Sequence, residues 1–151
     1  MYTGHAKPAF DFGFRPKYQR RRPAPQWSEI KLLEEISPWV LICLRKIASF
    51  SDLEQGWDSY GSSRVQPAAV MAATKFISEI PVERVPEPNV SPVPGGGIGF
   101  HWSIAGRDLE IECLPNGIVE YLKTCGEQSE EGTLSDFGDQ SLWRWLSGDQ
   151  A

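Results

Sequence analysis

Long apolar runs are missing from this chain. The longest, residues 40–44, is stopped by Arg45 and Lys46 and is far too short to cross a bilayer. Cysteine is scarce as well. Cys43, Cys113 and Cys125 are odd in number and lack C-x-x-C spacing, so neither a disulfide framework nor a zinc knuckle is expected. The start of the chain, Met1-Tyr2-Thr3-Gly4-His5, carries no apolar stretch of the signal-peptide kind. These absences predict a soluble protein with no membrane contact, in the bacterial cytoplasm or a host cytosol.

What is present is globular. At 151 residues the chain falls in the single-domain range, and a chain of that length buries roughly two-thirds of its unfolded surface. A hydrophobic content of 40% with 23% charge is that of a folded protein. Six Trp and seven Phe supply bulky core material, while twelve Pro and fourteen Gly give much of the chain to loops and turns.

Charge is unevenly spread. Residues 1–27 hold Lys7, Arg15, Lys17, Arg20, Arg21 and Arg22 against Asp11 alone, a net +5. The remainder holds nine Lys/Arg against nineteen Asp/Glu, a net −10, and the whole chain comes to −5. The chain therefore divides into a basic, aromatic-rich arm, 1–27, and a single acidic domain, 28–151. Such a split suits an arm reserved for an acidic partner, or one that folds onto its own body.

Within the arm, Phe10, Phe12 and Phe14 recur at period two, the pattern of an extended segment with one apolar face. Arg15, Lys17, Tyr18, Arg20, Arg21 and Arg22 follow, and Pro23 and Pro25 then separate arm from body. Arginine interleaved with aromatics can release counterions from phosphates and stack on bases. The Phe repeat equally suits a strand added to the sheet edge of a partner protein.

The body predicts an α+β fold, with N-terminal helices packed on a small antiparallel β-meander and a short C-terminal helix. Helical spacing of Ile30, Leu33 and Ile36 begins after Ser28, and Ser37-Pro38 starts a second helix or kinks the first. That second part places Leu41, Leu44 and Ile47 on one stripe and ends near Phe50. Pro67 opens a further helix with Val70, Ala73, Ile77 and Ile80 inward, ended by Pro81. After a Pro- and Gly-rich stretch, 81–97, Phe100, Trp102 and Ile104 alternate with His101 and Ser103. Leu109, Ile111 and Cys113 alternate with Glu110 and Glu112, and a third strand runs from Ile118 to about Thr124.

Two hairpin turns set an expected register. A two-residue turn at Asn116-Gly117 pairs Ile111 with Leu122, Glu112 with Tyr121 and Glu110 with Lys123. One at Gly106-Arg107 pairs Trp102 with Ile111 and His101 with Glu112. Moving that turn to Ala105-Gly106 shifts the pairing by two residues without exchanging faces. Residues 127–139 read as an acidic, Gly-rich loop, and Leu142, Trp143 and Leu146 as a short helix packing back on the core.

Four groups invite a chemical reading. Gly95-Gly96-Gly97-Ile98-Gly99 lacks the Lys-Ser/Thr ending of a phosphate loop and enters a strand, so it reads as a turn or bulge. His101, Glu112 and Tyr121 fall in one cross-strand row, where His and Glu could exchange a proton. No Ser or Cys nucleophile shares that row, and a matched polar face explains it more simply. Metal binding by His101 with Glu110 and Glu112 is weaker still, since zinc sites favour more N or S ligands. Cys125 lies past the third strand with no His beside it in sequence.

The most distinctive local motif is Gly56-Trp57-Asp58-Ser59-Tyr60-Gly61. Trp57, Asp58 and Tyr60 could form a binding surface. The plainer account has Trp57 and Tyr60 plugging a gap between helix and sheet while Asp58 accepts from backbone N–H groups. With the Pro-initiated helix and the segment from Pro92 to Gly97 before a Trp-containing strand, this motif resembles a loose group of small uncharacterised bacterial proteins. Their pattern is a G-W-D-G-x-G loop, an Ala-rich helix and a P-x-x-x-G-G segment. The likeness covers about residues 53–123, with Ser59 and Ser62 where Gly and Ala are usual. It implies a bacterial or mobile-element origin and an α+β fold, and it carries no activity.

These features point first to a non-enzymatic, macromolecule-binding protein, antitoxin-like, anti-defence or regulatory, that needs no cofactor. It would bind a protein partner through Phe10, Phe12, Phe14, Arg15, Lys17, Tyr18, Arg20, Arg21, Arg22, Trp57, Asp58 and Tyr60. The alternatives are nucleic-acid contact through the basic arm, and a small hydrolase or nuclease using His101 and Glu112.

Overall fold

The computed structural model describes residues 36–149. Three helices and five strands follow one another as α1 (Pro38–Phe50), α2 (Pro67–Glu79), β1 (Asn89–Val93), β2 (Gly97–Ile104), β3 (Arg107–Cys113), β4 (Val119–Cys125), β5 (Gln128–Thr133) and α3 (Gln140–Ser147). The strands form one antiparallel meander in chain order, β1-β2-β3-β4-β5. The α+β class is therefore as the sequence predicts, with a sheet of five strands where three were expected. No helix among the described residues is long and apolar enough to cross a membrane.

Both longer helices start on proline, which is preorganised for the first turn and has no N–H to leave unpaired. The segment from Ser28 to 35, expected to be helical, lies outside the described residues, as does the whole arm. In α1 the inward residues are Val40, Cys43 and Ile47, with Leu44 half-buried, whereas Leu41 turns outward at 37% exposure. The stripe is rotated by one position from the predicted one. In α2, Ala69, Ala73, Phe76 and Ile77 are buried, and Ile80 is buried just past the last turn, its N–H donating to the Phe76 carbonyl.

Phe76 is the centre of the core. Its ring lies 4.9 Å from Phe100, 5.4 Å from Phe137, 6.1 Å from Trp143 and 6.3 Å from Trp102, mostly tilted or edge-on. Such edge-to-face packing suits the aromatic quadrupole. Trp102 and Trp143 are buried with their polar edges satisfied, donating to the Pro86 carbonyl at 2.8 Å and the Phe137 carbonyl at 3.3 Å. Leu142, Trp143 and Leu146 bring α3 onto this core, as its pattern predicts, and Asp139 caps it by accepting from the Ser141 N–H.

The turns correct the register. The β2–β3 hairpin turns at Ala105-Gly106, both with positive φ (49° and 79°), so Trp102 pairs with Leu109 and His101 with Glu110. This is the two-residue shift that keeps the faces. The β3–β4 hairpin is different. The Leu114 carbonyl accepts from Gly117 N–H, and Leu114 N–H donates to Ile118, closing a three-residue loop with Gly117 at φ 88°. That turn-plus-bulge shifts β4 by one residue, so Ile111 pairs with Tyr121, Glu112 with Glu120 and Glu110 with Leu122. A slip of one exchanges every side chain between faces.

Candidate functional site

All three helices leave one face of the sheet uncovered by any described element. Phe100, Trp102, Leu109, Ile111, Cys113 and Val119 point to the buried side. Cross-strand partners share a face, so the register lays out the open side in rows. One row runs His101, Glu110, Leu122, Glu131, the next Gly99, Glu112, Glu120, Thr133, and a third Ser103, Asp108, Thr124, Ser129. Five carboxylates stand on these rows, and no Lys or Arg occupies any of their positions. Glu110, Glu112, Glu120 and Glu131, with Leu122 and Thr133, line a shallow concavity of about 340 Å³.

The expected row of His101, Glu112 and Tyr121 does not form. Glu110 stands opposite His101, Glu112 is opposite Gly99, and Tyr121 is on the other face. His101 instead meets Asp108 diagonally, Nε2 to Oδ1 at 3.5 Å, with both side chains 46% exposed. Across this open surface a proton relay would have no water-excluding wall. Among the described residues no three of His, Cys, Asp and Glu are grouped as a metal ion would need, so the acidity is spread along the sheet.

On the helix side, Tyr121 covers Gly132, where an added Cβ would sit 3.0 Å from the ring. Tyr121 donates to Glu130 Oε1 at 3.0 Å, and Lys123 Nζ pairs with Glu130 Oε2 at 2.9 Å while lying 5.6 Å above the Trp145 ring. Lys123 and Tyr121 hold the Glu130 carboxyl below its ordinary value, and the same Glu130 contact raises the Tyr121 phenol. This cluster ties β5 to β4. Residues 128–133, expected as loop, are an edge strand because these contacts reward their pairing.

The Trp57 loop matches its plainer account in part. Asp58 accepts from the backbone N–H groups of Tyr60 at 3.0 Å and Ser62 at 3.2 Å, and from the Ser62 hydroxyl. The Ser62 hydroxyl and these amides hold its carboxyl below the usual range. Half-buried Trp57 donates to the Ser63 carbonyl at 3.2 Å. Tyr60, however, is 93% exposed and plugs nothing. The glycine run is a hairpin turn, with Gly95 and Gly96 at φ 99° and 100°, and a Cβ on Gly96 would meet the Arg64 carbonyl at 2.8 Å. Cys113 is buried, its thiol pushed up to about 12 by desolvation, which removes it as a nucleophile, whereas Cys125 is exposed.

Phe10, Phe12, Phe14, Arg15, Lys17, Tyr18, Arg20, Arg21 and Arg22 lie outside the described residues. Trp57, Asp58 and Tyr60 sit together on one loop, and none of them is a member of the strand rows. Glu120 and Glu131 join Glu110 and Glu112 on one acidic face, a grouping not expected from the sequence. The signal is the alternation Ser129, Glu131, Thr133, which lies in a stretch whose composition is that of a loop. No family model matches the chain, and neither curated proteins nor solved structures give a match.

Proposed function

We propose that this chain is a non-enzymatic macromolecule-binding protein whose partner is a protein, engaged by the open face of its sheet and by residues of the arm. The observation that carries the reading is the direct cross-strand pairing of Glu112 with Glu120. Like charges placed opposite one another on a sheet destabilise it, and these two stand among further carboxylates with no Lys or Arg on the rows to offset them. A complementary cationic surface would remove that repulsion on binding, while Leu122 in the lining of the concavity offers an apolar contact. An antitoxin-like, anti-defence or regulatory role in a bacterium is the biological form of this reading.

The test is affinity purification of the full-length chain from its host after nuclease treatment. It is compared with the variant Glu112→Lys/Glu120→Lys/Glu131→Lys and with Arg20→Ala/Arg21→Ala/Arg22→Ala. A protein that stays with the wild type and is lost with the face variant supports the reading. The same proteins recovered with all three chains would remove both the face and the arm from the mechanism. Association lost on nuclease treatment and on arm substitution alone would transfer the function to nucleic-acid contact.

A further inference from the structure

Among the described residues the open face ends at an edge strand. Among those residues β5 has a neighbour on one side only, and its residues are almost all exposed. The hydrogen bond from Leu134 N–H to the Val119 carbonyl fixes the phase of the β4–β5 ladder. Because an antiparallel ladder alternates, the N–H and C=O groups of Gln128, Glu130 and Gly132 turn toward β4. Those of Ser129, Glu131 and Thr133 turn outward. The opposite edge, β1, is less suited to pairing, since Pro92 has no N–H to donate.

Resting on the binding reading above, we propose that β5 takes an extended, cationic segment of a partner protein as a sixth antiparallel or parallel strand. The incoming backbone would satisfy the outward groups of Ser129, Glu131 and Thr133. Its alternate side chains would continue the open face beside those three residues. Lys or Arg at these positions lies directly beside Glu131, on the same face as Glu120 and Leu122 one strand further in. Main-chain bonds give the affinity, and the period-two charge gives the choice of partner. A second copy of this chain is a poor occupant, because pairing two β5 strands would bring Glu130 and Glu131 of each copy together.

The probe is a ten-residue peptide alternating Lys with Thr, titrated against the full-length protein at fixed ionic strength. A peptide alternating Glu with Thr and a Lys/Thr peptide N-methylated on every central amide are the comparisons. Saturable binding of the first, weakened at least tenfold by N-methylation, by Glu acids in place of Lys and by Glu120→Lys/Glu131→Lys, supports strand addition. Amide exchange should then slow at Ser129, Glu131 and Thr133. If the N-methylated peptide binds as tightly as its parent, strand addition is overturned while an acidic docking face survives. If no cationic peptide binds, or if sedimentation shows a dimer that Glu131→Lys abolishes, the inference fails altogether.

Discussion

Phe76 organises the core more than any other residue, yet it stands off the stripe that the helical spacing of Val70, Ala73, Ile77 and Ile80 draws. A helix laid on a sheet buries a face wider than a single stripe, so Ala69 and Phe76 turn inward beside Ala73 and Ile77. Four aromatic rings pack on Phe76, and truncation would leave a cavity their rigid shapes cannot fill. Phe76→Ala should therefore cost about 3–5 kcal/mol, read as a lowered midpoint in urea with an unchanged slope. Phe76→Leu should recover much of that loss. The alternating residues of β2 and β3, by contrast, were legible as written, because a strand's period of two leaves no choice about which side chains are buried.

At the level of elements, the hairpin turns decide what could be read. Asn116-Gly117 signals a turn correctly but does not say whether two or three residues form it. Pro115 supplies the fixed φ of a preceding turn position, and Gly117 takes the left-handed conformation at 88°. Gly117→Ala should cost about 1–2 kcal/mol through that backbone angle alone, measurable by thermal unfolding. The Ala side chain itself would find only van der Waals contact with Ala68. An unchanged melting temperature would mean the turn is not as described. The strand β5 was illegible for a different reason. Gln-Ser-Glu-Glu-Gly-Thr has almost no strand propensity, and its pairing rests on Tyr121 and Lys123 of the neighbouring strand. Glu130 has a folded-state pKa below its ordinary 4.5. Its contribution is complete above that value and lost as pH falls through the depressed one. Amide exchange in β5, corrected for intrinsic rate, should rise on acidification before that of β2 and β3. Glu130→Gln should raise it already at neutral pH and flatten the dependence.

Across the whole molecule, the charge imbalance between arm and body was plain in the composition, but its placement was not. The acids of β3 alternate with apolar residues in the sequence, which marks one strand as half-solvated and says nothing of its neighbours. Only the one-residue shift of β4 brings Glu120 onto the same face as Glu110 and Glu112, and only the existence of β5 adds Glu131. This placement sets stability against binding. In Glu120→Lys a like-charge pair with Glu112 becomes an opposite-charge pair, worth about 0.5–1 kcal/mol at low salt for a cross-strand pair. The isolated variant should thus melt higher than the wild type. Added salt should narrow the gap, since it screens the repulsion in one chain and the attraction in the other. The same variant should bind cationic peptide at least tenfold more weakly. A face whose carboxylates served only to keep an edge strand soluble would show the gain in stability with no change in binding. If Glu120→Lys melts lower than the wild type, Glu112 and Glu120 do not repel across the strands as the register requires.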